Sequence, residues 1–164
     1  MTKKPLFSNS YDAALFTCAV LRRFNAGNIN SFEQRFISQK IQYFAQLFRI
    51  SPPYSFNLYI RGPYSPDLTN DLFQIKEHEI RVPKIDKFTP QELEGRFLRL
   101  KKFVGGKSNR ELELIATLDW LVRIAKMSQG MVKEKLNKIK GASPTEINFT
   151  IKWTQNLWQQ ISKT

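Results

Sequence analysis

Four helix-start signals recur along this chain of 164 residues and constrain its fold more than any other feature. Each consists of a serine or threonine followed three residues later by glutamine or glutamate. That is the spacing of a capping box, in which these side chains satisfy backbone N–H groups at the start of a helix. The pairs are Ser31 with Gln34, Thr89 with Glu92, Ser108 with Glu111, and Ser143 with Glu146. In "TPQE" and "SPTE" we expect the proline at the first helical position, where its missing N–H is tolerated. The sequence therefore predicts a mainly helical chain.

The apolar spacing after these starts is also helical. Apolar residues recur every three or four positions from Phe36 to Phe48 and again from Ile147 to Ile161, as on one face of a helix. A first helix is predicted at about residues 10–24. Residues 111–126 are apolar on nearly every side, which indicates a central buried helix. Asp119 lies within it, and we expect Arg123, four residues later, to pair with this carboxylate.

Strand signals are few. Residues 55–60, "SFNLYI", alternate apolar and polar side chains, which is typical of a half-buried strand. A partner strand is predicted at residues 79–85, where Pro83 would confine it to an edge. We therefore predict a single domain over residues 1–164, mainly α, with about seven helices and one small β-hairpin. A winged-helix-like arrangement is one form that such a domain can take.

The charge is strongly positive. The sequence has 26 Lys and Arg against 14 Asp and Glu, a formal net charge of +12. Its 41% hydrophobic and 13% aromatic content exclude a disordered basic tail. Such an excess of positive charge favours polyanions or an acidic protein as partners. The alternative is a Lys-rich protein in which the charge has no specific partner.

Few residues could carry out chemistry. Cys18 is the only cysteine and His78 the only histidine, which excludes a disulfide framework within one chain and a two-histidine metal site. No serine or cysteine has the flanking signature of a catalytic nucleophile. The N-terminus lacks the apolar core of a signal peptide, and no apolar run approaches the roughly 20 residues of a spanning helix. We expect a cytoplasmic protein that is not an enzyme and has no metal, cofactor or membrane association.

One basic segment predicts a nucleic-acid-binding surface. Residues 96–110, "RFLRLKKFVGGKSNR", contain six basic residues and no acidic one. The six candidates are Arg96, Arg99, Lys101, Lys102, Lys107 and Arg110. Such residues contact phosphates without reading bases. A second cluster of lysines at 133, 135, 138 and 140 adds to this charge. The alternative is a solvated face screened by salt.

The segment "YIRGPYSP" combines turn residues with side chains that a turn does not need. Gly62 and Pro63 suit a tight turn, and Ser65 before Pro66 suits a helix start, so we expect a strand-turn-helix corner. Tyr59, Arg61 and Tyr64 are not required by this turn, and we predict that they bind a partner. The alternative is two tyrosines that pack at the corner and an arginine in solvent.

Several motifs resemble one group of uncharacterised prokaryotic proteins. "GPYS" at residues 62–65, the following Asp67-Leu68 and Asp71-Leu72 pairs, "LELIATLDWL" and "KIKGASPTEI" are similar to the YwgA-like family. Similar modules form the C-terminal part of the antitoxin that counters a DNA-ADP-ribosylating toxin, and related Panacea-type domains are suspected antitoxins. This sequence differs in containing no macrodomain and in being basic, which argues against a DNA-mimic role. The family has no agreed catalytic residues.

These observations favour a non-enzymatic binding or regulatory module that contacts nucleic acid through its basic face. The resemblance implies a role in a toxin-antitoxin or defence system. The alternative is an antitoxin or adaptor that binds only a protein, such as an acidic toxin. A third reading is an enzyme that uses Asp119 with Tyr59, Arg61 or Tyr64 in one cleft.

Overall fold

The structure is a computed structural model that describes residues 5–164. In this range the chain is mainly helical, with seven α-helices and one two-stranded hairpin, as predicted. The helices are α1 (Tyr11–Arg22), α2 (Phe32–Leu47), α3 (Pro66–Glu77), α4 (Gln91–Val104), α5 (Asn109–Asp119), α6 (Gln129–Lys140) and α7 (Pro144–Ser162). The hairpin, between α2 and α3, consists of β1 (Asn57–Tyr59) and β2 (Gly62–Tyr64).

Three of the four predicted capping boxes are confirmed. Ser31, Ser108 and Ser143 each cap a helix and make both hydrogen bonds of the box. The fourth is wrong, because Pro90 itself occupies the N-cap position of α4, and no side chain caps the helix there. Glu94 instead holds this helix start, since its carboxylate accepts a hydrogen bond from the Phe88 backbone N–H at 2.7 Å.

Helix α5 lies at the centre of the fold. It packs against α2, α6, α7 and the hairpin, and its residues from Leu112 to Asp119 are all buried. After Asp119 the backbone continues as one π-helical turn, Trp120–Ile124. The predicted central helix is therefore confirmed, although its last part is not α-helical. Side chains of α5 belong to two of the three apolar clusters, and the clusters are linked by shared side chains, among them Phe56 and Trp120.

The hairpin differs from its prediction. Strand β1 pairs antiparallel with the adjacent β2, with Leu58 opposite Pro63, whereas residues 79–85 contain no strand. The reason is local: the chain reverses over Ile60 and Arg61, and Gly62 adopts a positive φ of 91° that completes a tight reversal. Gly62 and Pro63 thus lie in a strand and not in the turn. The predicted helix start after them is confirmed, because Ser65 caps α3 and Pro66 is its first residue.

No helix within residues 5–164 combines the length and the apolar character needed to cross a lipid bilayer. The single-domain assignment, the winged-helix-like arrangement and the cytoplasmic location stay predictions.

Candidate binding site at the hairpin

A cavity of about 330 Å³ lies between the N-terminal half of α2 and the hairpin, and we call it the hairpin pocket. Its residues from α2 follow one another at helical spacing and therefore share one face of the helix. They are Phe32, Arg35, Phe36, Gln39 and Lys40. The hairpin contributes Tyr59, Ile60, Arg61, Gly62 and Tyr64. The fold thus brings the three residues of the predicted partner site together around one pocket.

The two tyrosines of the pocket differ in how firmly their side chains are held. Their rings lie 5.3 Å apart in an edge-to-face arrangement. The Tyr64 hydroxyl lies 2.8 Å from Thr69 Oγ1, which also accepts a hydrogen bond from Gln39 Nε2. Tyr64 is therefore fixed by α2 and α3, while Tyr59 is exposed at the rim. The alternative interpretation, in which the tyrosines only pack at the corner, therefore describes Tyr64 better than Tyr59.

Arg61 is not simply a solvated side chain. Its Nε donates a hydrogen bond of 2.9 Å to Glu113 of α5. Its guanidinium group lies 4.8 Å from the ring centroid of Phe36 and 5.3 Å from that of Phe32. The side chain is nevertheless 43% exposed. Arg61 is thus held in a defined orientation at the mouth of the pocket, stacked on aromatic rings.

Glu113 and Lys140 complete this ionic cluster. The sequence analysis did not identify Glu113, and it placed Lys140 in the second basic cluster instead of at the hairpin. The Glu113 carboxylate is buried and accepts a second hydrogen bond, of 2.9 Å, from Lys140 Nζ. Burial would raise the pKa of Glu113, but the hydrogen bonds from Lys140 and Arg61 outweigh it and hold the pKa below its usual range. Lys140 also donates to the Ile60 carbonyl, so α6 is connected directly to the hairpin tip.

Lys40 is the most unusual group of the hairpin pocket. It is only 2% exposed, and its Nζ donates a hydrogen bond of 2.8 Å to the carbonyl of Pro63, within the "GPYS" motif. Burial lowers the pKa of Lys40 from 10.5 to about 7. Glu113 opposes this shift, whereas Lys140 and Arg61 add to it. The sequence signal was available, because Lys40 lies midway between Phe36 and Phe44 on the apolar face of α2.

Gly62 is required here by space as well as by its positive φ. A Cβ atom at this position would lie 3.0 Å from Thr117 Oγ1 and 3.3 Å from Lys40 Cε. The missing side chain therefore allows the hairpin to approach α5 and α2 closely. The "GPYS" motif is structural at Gly62 and Ser65, while its neighbours Tyr59 and Arg61 face the pocket.

Asp119 belongs to a different and closed network. It is fully buried and accepts hydrogen bonds from the Tyr43 hydroxyl, from Trp158 Nε1 at 2.8 Å and from Arg123 Nη2 at 3.1 Å. The predicted pairing with Arg123 is confirmed. Asp119 does not line the hairpin pocket. The geometry therefore gives no support to the reading that groups this carboxylate with Tyr59, Arg61 and Tyr64.

Three of the six basic candidates between residues 96 and 110 have partners within the described part of the protein. Arg110 pairs with Glu146 and with the Lys140 carbonyl, and Arg96 donates to the Arg49 carbonyl. Lys107 Nζ lies 3.8 Å from the ring centroid of Trp153, and burial lowers its pKa.

The remaining three candidates differ in exposure. Arg99 is half-buried, and its buried Nε has no hydrogen-bond partner among the described residues. Only Lys101 and Lys102 are fully at the surface. Lys101 also lines a groove of about 720 Å³ with Arg22 and Lys84. Of the second lysine cluster, Lys140 points instead to Glu113. The segment therefore presents a smaller exposed basic surface than its sequence suggests.

No group of three or more His, Cys, Asp or Glu side chains that could hold a metal ion occurs in the described part of the chain. His78 is exposed, and its Nε2 lies 3.2 Å from Gln74 Oε1.

Comparisons with known proteins found no match, whether among family models, curated proteins or solved structures. The resemblance to the YwgA-like family therefore stays a prediction.

Proposed function

We propose that this protein is a non-enzymatic binding module whose hairpin pocket holds a segment of a protein partner. The observation that carries this proposal is Ile60, which is 91% exposed at the tip of the hairpin. Tyr59 and Phe32, each about half exposed, lie beside it around the same pocket. Contiguous apolar surface with a polar rim is typical of protein-binding sites, and aromatic and arginine side chains contribute most of the energy there.

The pocket is also organised in advance of binding. Arg61 is oriented by Glu113, Tyr64 by Thr69, and the hairpin backbone by Lys40 and Lys140. A site whose side chains are already ordered loses less conformational entropy when a partner binds. This favours a binding role for the hairpin over a purely structural one.

An antitoxin or adaptor role agrees with this site. The "GPYS" motif, which carries the resemblance to antitoxin modules, includes two of the pocket residues, Gly62 and Tyr64. The net charge of +12 favours an acidic target. We infer that the partner is an acidic protein, such as a toxin, that the module neutralises by occupying its surface.

Site-specific photo-crosslinking tests this proposal. A photoreactive phenylalanine analogue replaces Ile60, and the protein is irradiated in the cells that produce it. We expect a discrete adduct that is sensitive to protease and resistant to nuclease. The matched control places the same analogue at Met131, which is also exposed but does not line the hairpin pocket. The proposal is wrong if Ile60 gives no adduct, or if both positions give the same one.

Nucleic-acid contact is a second candidate function. The groove that Lys101 shares with Arg22, Arg23 and Lys84 supports it, because these four basic residues line it with only one acidic residue, Asp86. Arg23 is paired with Glu94, so the other three are the candidates for phosphate contact. Such a surface holds phosphates without base specificity, and its affinity falls steeply with salt.

A salt titration distinguishes this second function. Binding to random-sequence duplex and single-stranded nucleic acid is followed by fluorescence anisotropy. Replacement of Lys84, Lys101 and Lys102 by glutamine should abolish most of the salt-dependent binding, whereas the same change at Lys133 and Lys138 should not. An unchanged affinity in the first variant removes this groove from consideration.

A further inference from the structure

The hairpin pocket and the ionic cluster of Glu113 and Lys140 beside it hold more positive than negative charge. Lys40, Arg61 and Lys140 lie around a single carboxylate, that of Glu113, and only Arg61 and Lys140 form ion pairs with it. Lys40 donates to a neutral carbonyl instead. Arg35 also lines the pocket, and its Nη1 donates to the Ile29 carbonyl. The cations around Glu113 therefore outnumber the anions, which favours the approach of a further anion.

Arg61 is placed to receive that anion. Only its Nε is hydrogen-bonded to Glu113, and its two terminal nitrogens have no hydrogen bond to any described residue. These nitrogens form the fork that binds a carboxylate through two parallel bonds. The stacking of the guanidinium group on Phe36 and Phe32 holds the fork in place.

We propose that the hairpin pocket recognises a carboxylate next to an apolar or aromatic side chain in a segment of the partner protein. The carboxylate binds the terminal nitrogens of Arg61, and the apolar side chain packs against Tyr59, Ile60 and Phe32. This inference rests on the proposed function and specifies its partner. A second copy of this chain is a poor occupant, because two molecules of charge +12 repel each other. A nucleic-acid strand, which would stack its bases on Tyr59 and Phe32 and place a phosphate at Arg61, is the competing occupant that the experiment tests.

Binding of the carboxylate should be coupled to proton uptake by Lys40. Lys40 Nζ lies 3.5 Å from the position of a Cβ atom on Gly62, the residue next to Arg61, and the charge of Arg61 already lowers the pKa of Lys40. An anion bound at Arg61 therefore also attracts the charge of Lys40. The charged groups that face Lys40 are Glu113 of α5, Lys140 of α6 and Arg61 of the hairpin. An added anion raises the pKa of Lys40 above about 7. Well below pH 7 Lys40 is already charged, so proton uptake takes place from around pH 7 upward, and the affinity decreases there as the pH rises.

The experiment uses short random peptides displayed on phage. Peptides are selected on the purified protein and then measured one by one by isothermal titration calorimetry. We expect enrichment of Asp or Glu beside Phe, Trp, Leu or Ile, and at least about tenfold weaker binding to Arg61→Gln. The matched control, Arg81→Gln, removes an exposed arginine that does not line the pocket and should bind normally. Circular dichroism verifies that each variant is folded.

The outcomes separate this inference from the function on which it rests. If the selected peptides require Ile60 but contain no acidic residue, the inference that the pocket recognises a carboxylate is wrong, while the proposed protein-binding function stands. If no selected peptide depends on Ile60 or Arg61, both are overturned. Displacement of bound peptide by oligothymidylate would assign the site to nucleic acid instead.

Calorimetry in two buffers of different ionisation enthalpy measures the protons taken up. We expect a fraction of a proton at pH 8 for the wild type, and none for Lys40→Met. Absence of uptake in the wild type would contradict a carboxylate bound near Lys40. A Kd that does not rise between pH 7 and 9 would contradict it independently.

Discussion

Glu113 and Asp119 are two carboxylates of the same helix, almost equally buried, with opposite surroundings. Asp119 meets one cation, Arg123, and two neutral donors, Tyr43 and Trp158, so its charge is balanced and its network is closed. Glu113 meets Arg61 and Lys140, with Lys40 nearby, so positive charge is in excess. The balanced network stabilises the fold, whereas the unbalanced cluster has room for one further anion. Charge balance, and not burial, distinguishes the two.

Replacing Asp119 by asparagine should have the largest effect on stability. Arg123 loses its buried partner, and the new amide group faces the donors of Tyr43 and Trp158. We expect the free energy of unfolding to decrease by about 3 kcal/mol, measured by urea denaturation.

Glu113→Gln is the matched change at the pocket and should be milder, about 1–2 kcal/mol. Arg61 is partly exposed and can turn to water, and the buried Lys140 keeps its hydrogen bond to the Ile60 carbonyl and can still donate to the amide oxygen of the new glutamine. A greater loss from Glu113→Gln than from Asp119→Asn would reverse the comparison, because Glu113 would then be the stronger structural group.

The second prediction concerns the glycine that brings the hairpin to α5. Gly62→Ala should decrease the free energy of unfolding by about 2–3 kcal/mol, since it combines a strained positive φ with a close contact to Thr117 Oγ1. Gly106→Ala is the control: its φ is also positive, at 76°, but no atom lies within 4 Å of the new Cβ. It should lose only about 1 kcal/mol. Equal losses in thermal unfolding would mean that the contact at Gly62 relaxes without cost.

Local chemistry explains which parts of the fold the sequence predicts well. Capping boxes and apolar spacing are encoded within a few residues, so the helices and the Asp119–Arg123 pair were predicted correctly. The prediction at Thr89 failed because Pro90 itself occupies the N-cap position, and the Glu94 carboxylate, paired with the distant Arg23, binds the Phe88 N–H there. The partner strand failed because a positive φ at Gly62 closes the hairpin at once.

The site was only half predictable for the same reason. Tyr59, Arg61 and Tyr64 stand out within eight residues, but Glu113 and Lys140 reach the hairpin from α5 and α6, over 50 residues away in sequence. Lys40 could have been predicted, because a lysine on the apolar face of a helix indicates a buried amine. The prediction of a fully exposed basic surface at residues 96–110 failed in part because Arg110 and Lys107 contact residues of α7. A count of basic residues in the sequence cannot show such contacts.

The third prediction uses the lowered pKa of Lys40. Between pH 7 and the ordinary value of 10.5, the unfolded lysine holds a proton that the folded one has released. Because the unfolded state binds more protons there, stability should increase with pH by up to about 1 kcal/mol per pH unit. The window ends at about pH 9, since burial raises the pKa of Cys18 from 9.0 to about 12 and opposes the trend above that.

Urea denaturation at several pH values between 7 and 9 measures this slope. Lys40→Met removes the titrating amine and should flatten the curve, whereas Lys133→Met, on the exposed face of α6, should leave it unchanged. The same slope in wild type and Lys40→Met would show that Lys40 keeps an ordinary pKa. Lys40 would then be charged throughout the physiological pH range, and the excess of positive charge at the pocket would not depend on pH.

The smallest expected change in stability belongs to Ile60→Ser. Ile60 is 91% exposed, so its replacement removes little buried apolar surface. The free energy of unfolding should therefore stay within about 0.5 kcal/mol of the wild type. Binding of a selected acidic peptide should nevertheless weaken by about tenfold, since Ile60 forms the apolar rim. The control, Met131→Ser on α6, should change neither quantity.

Asp119→Asn would have the opposite profile, with stability lost and peptide affinity retained in the molecules that stay folded. If Ile60→Ser instead lowers stability and leaves affinity unchanged, the hairpin tip serves the fold, and the contrast between the two carboxylates no longer separates structure from binding.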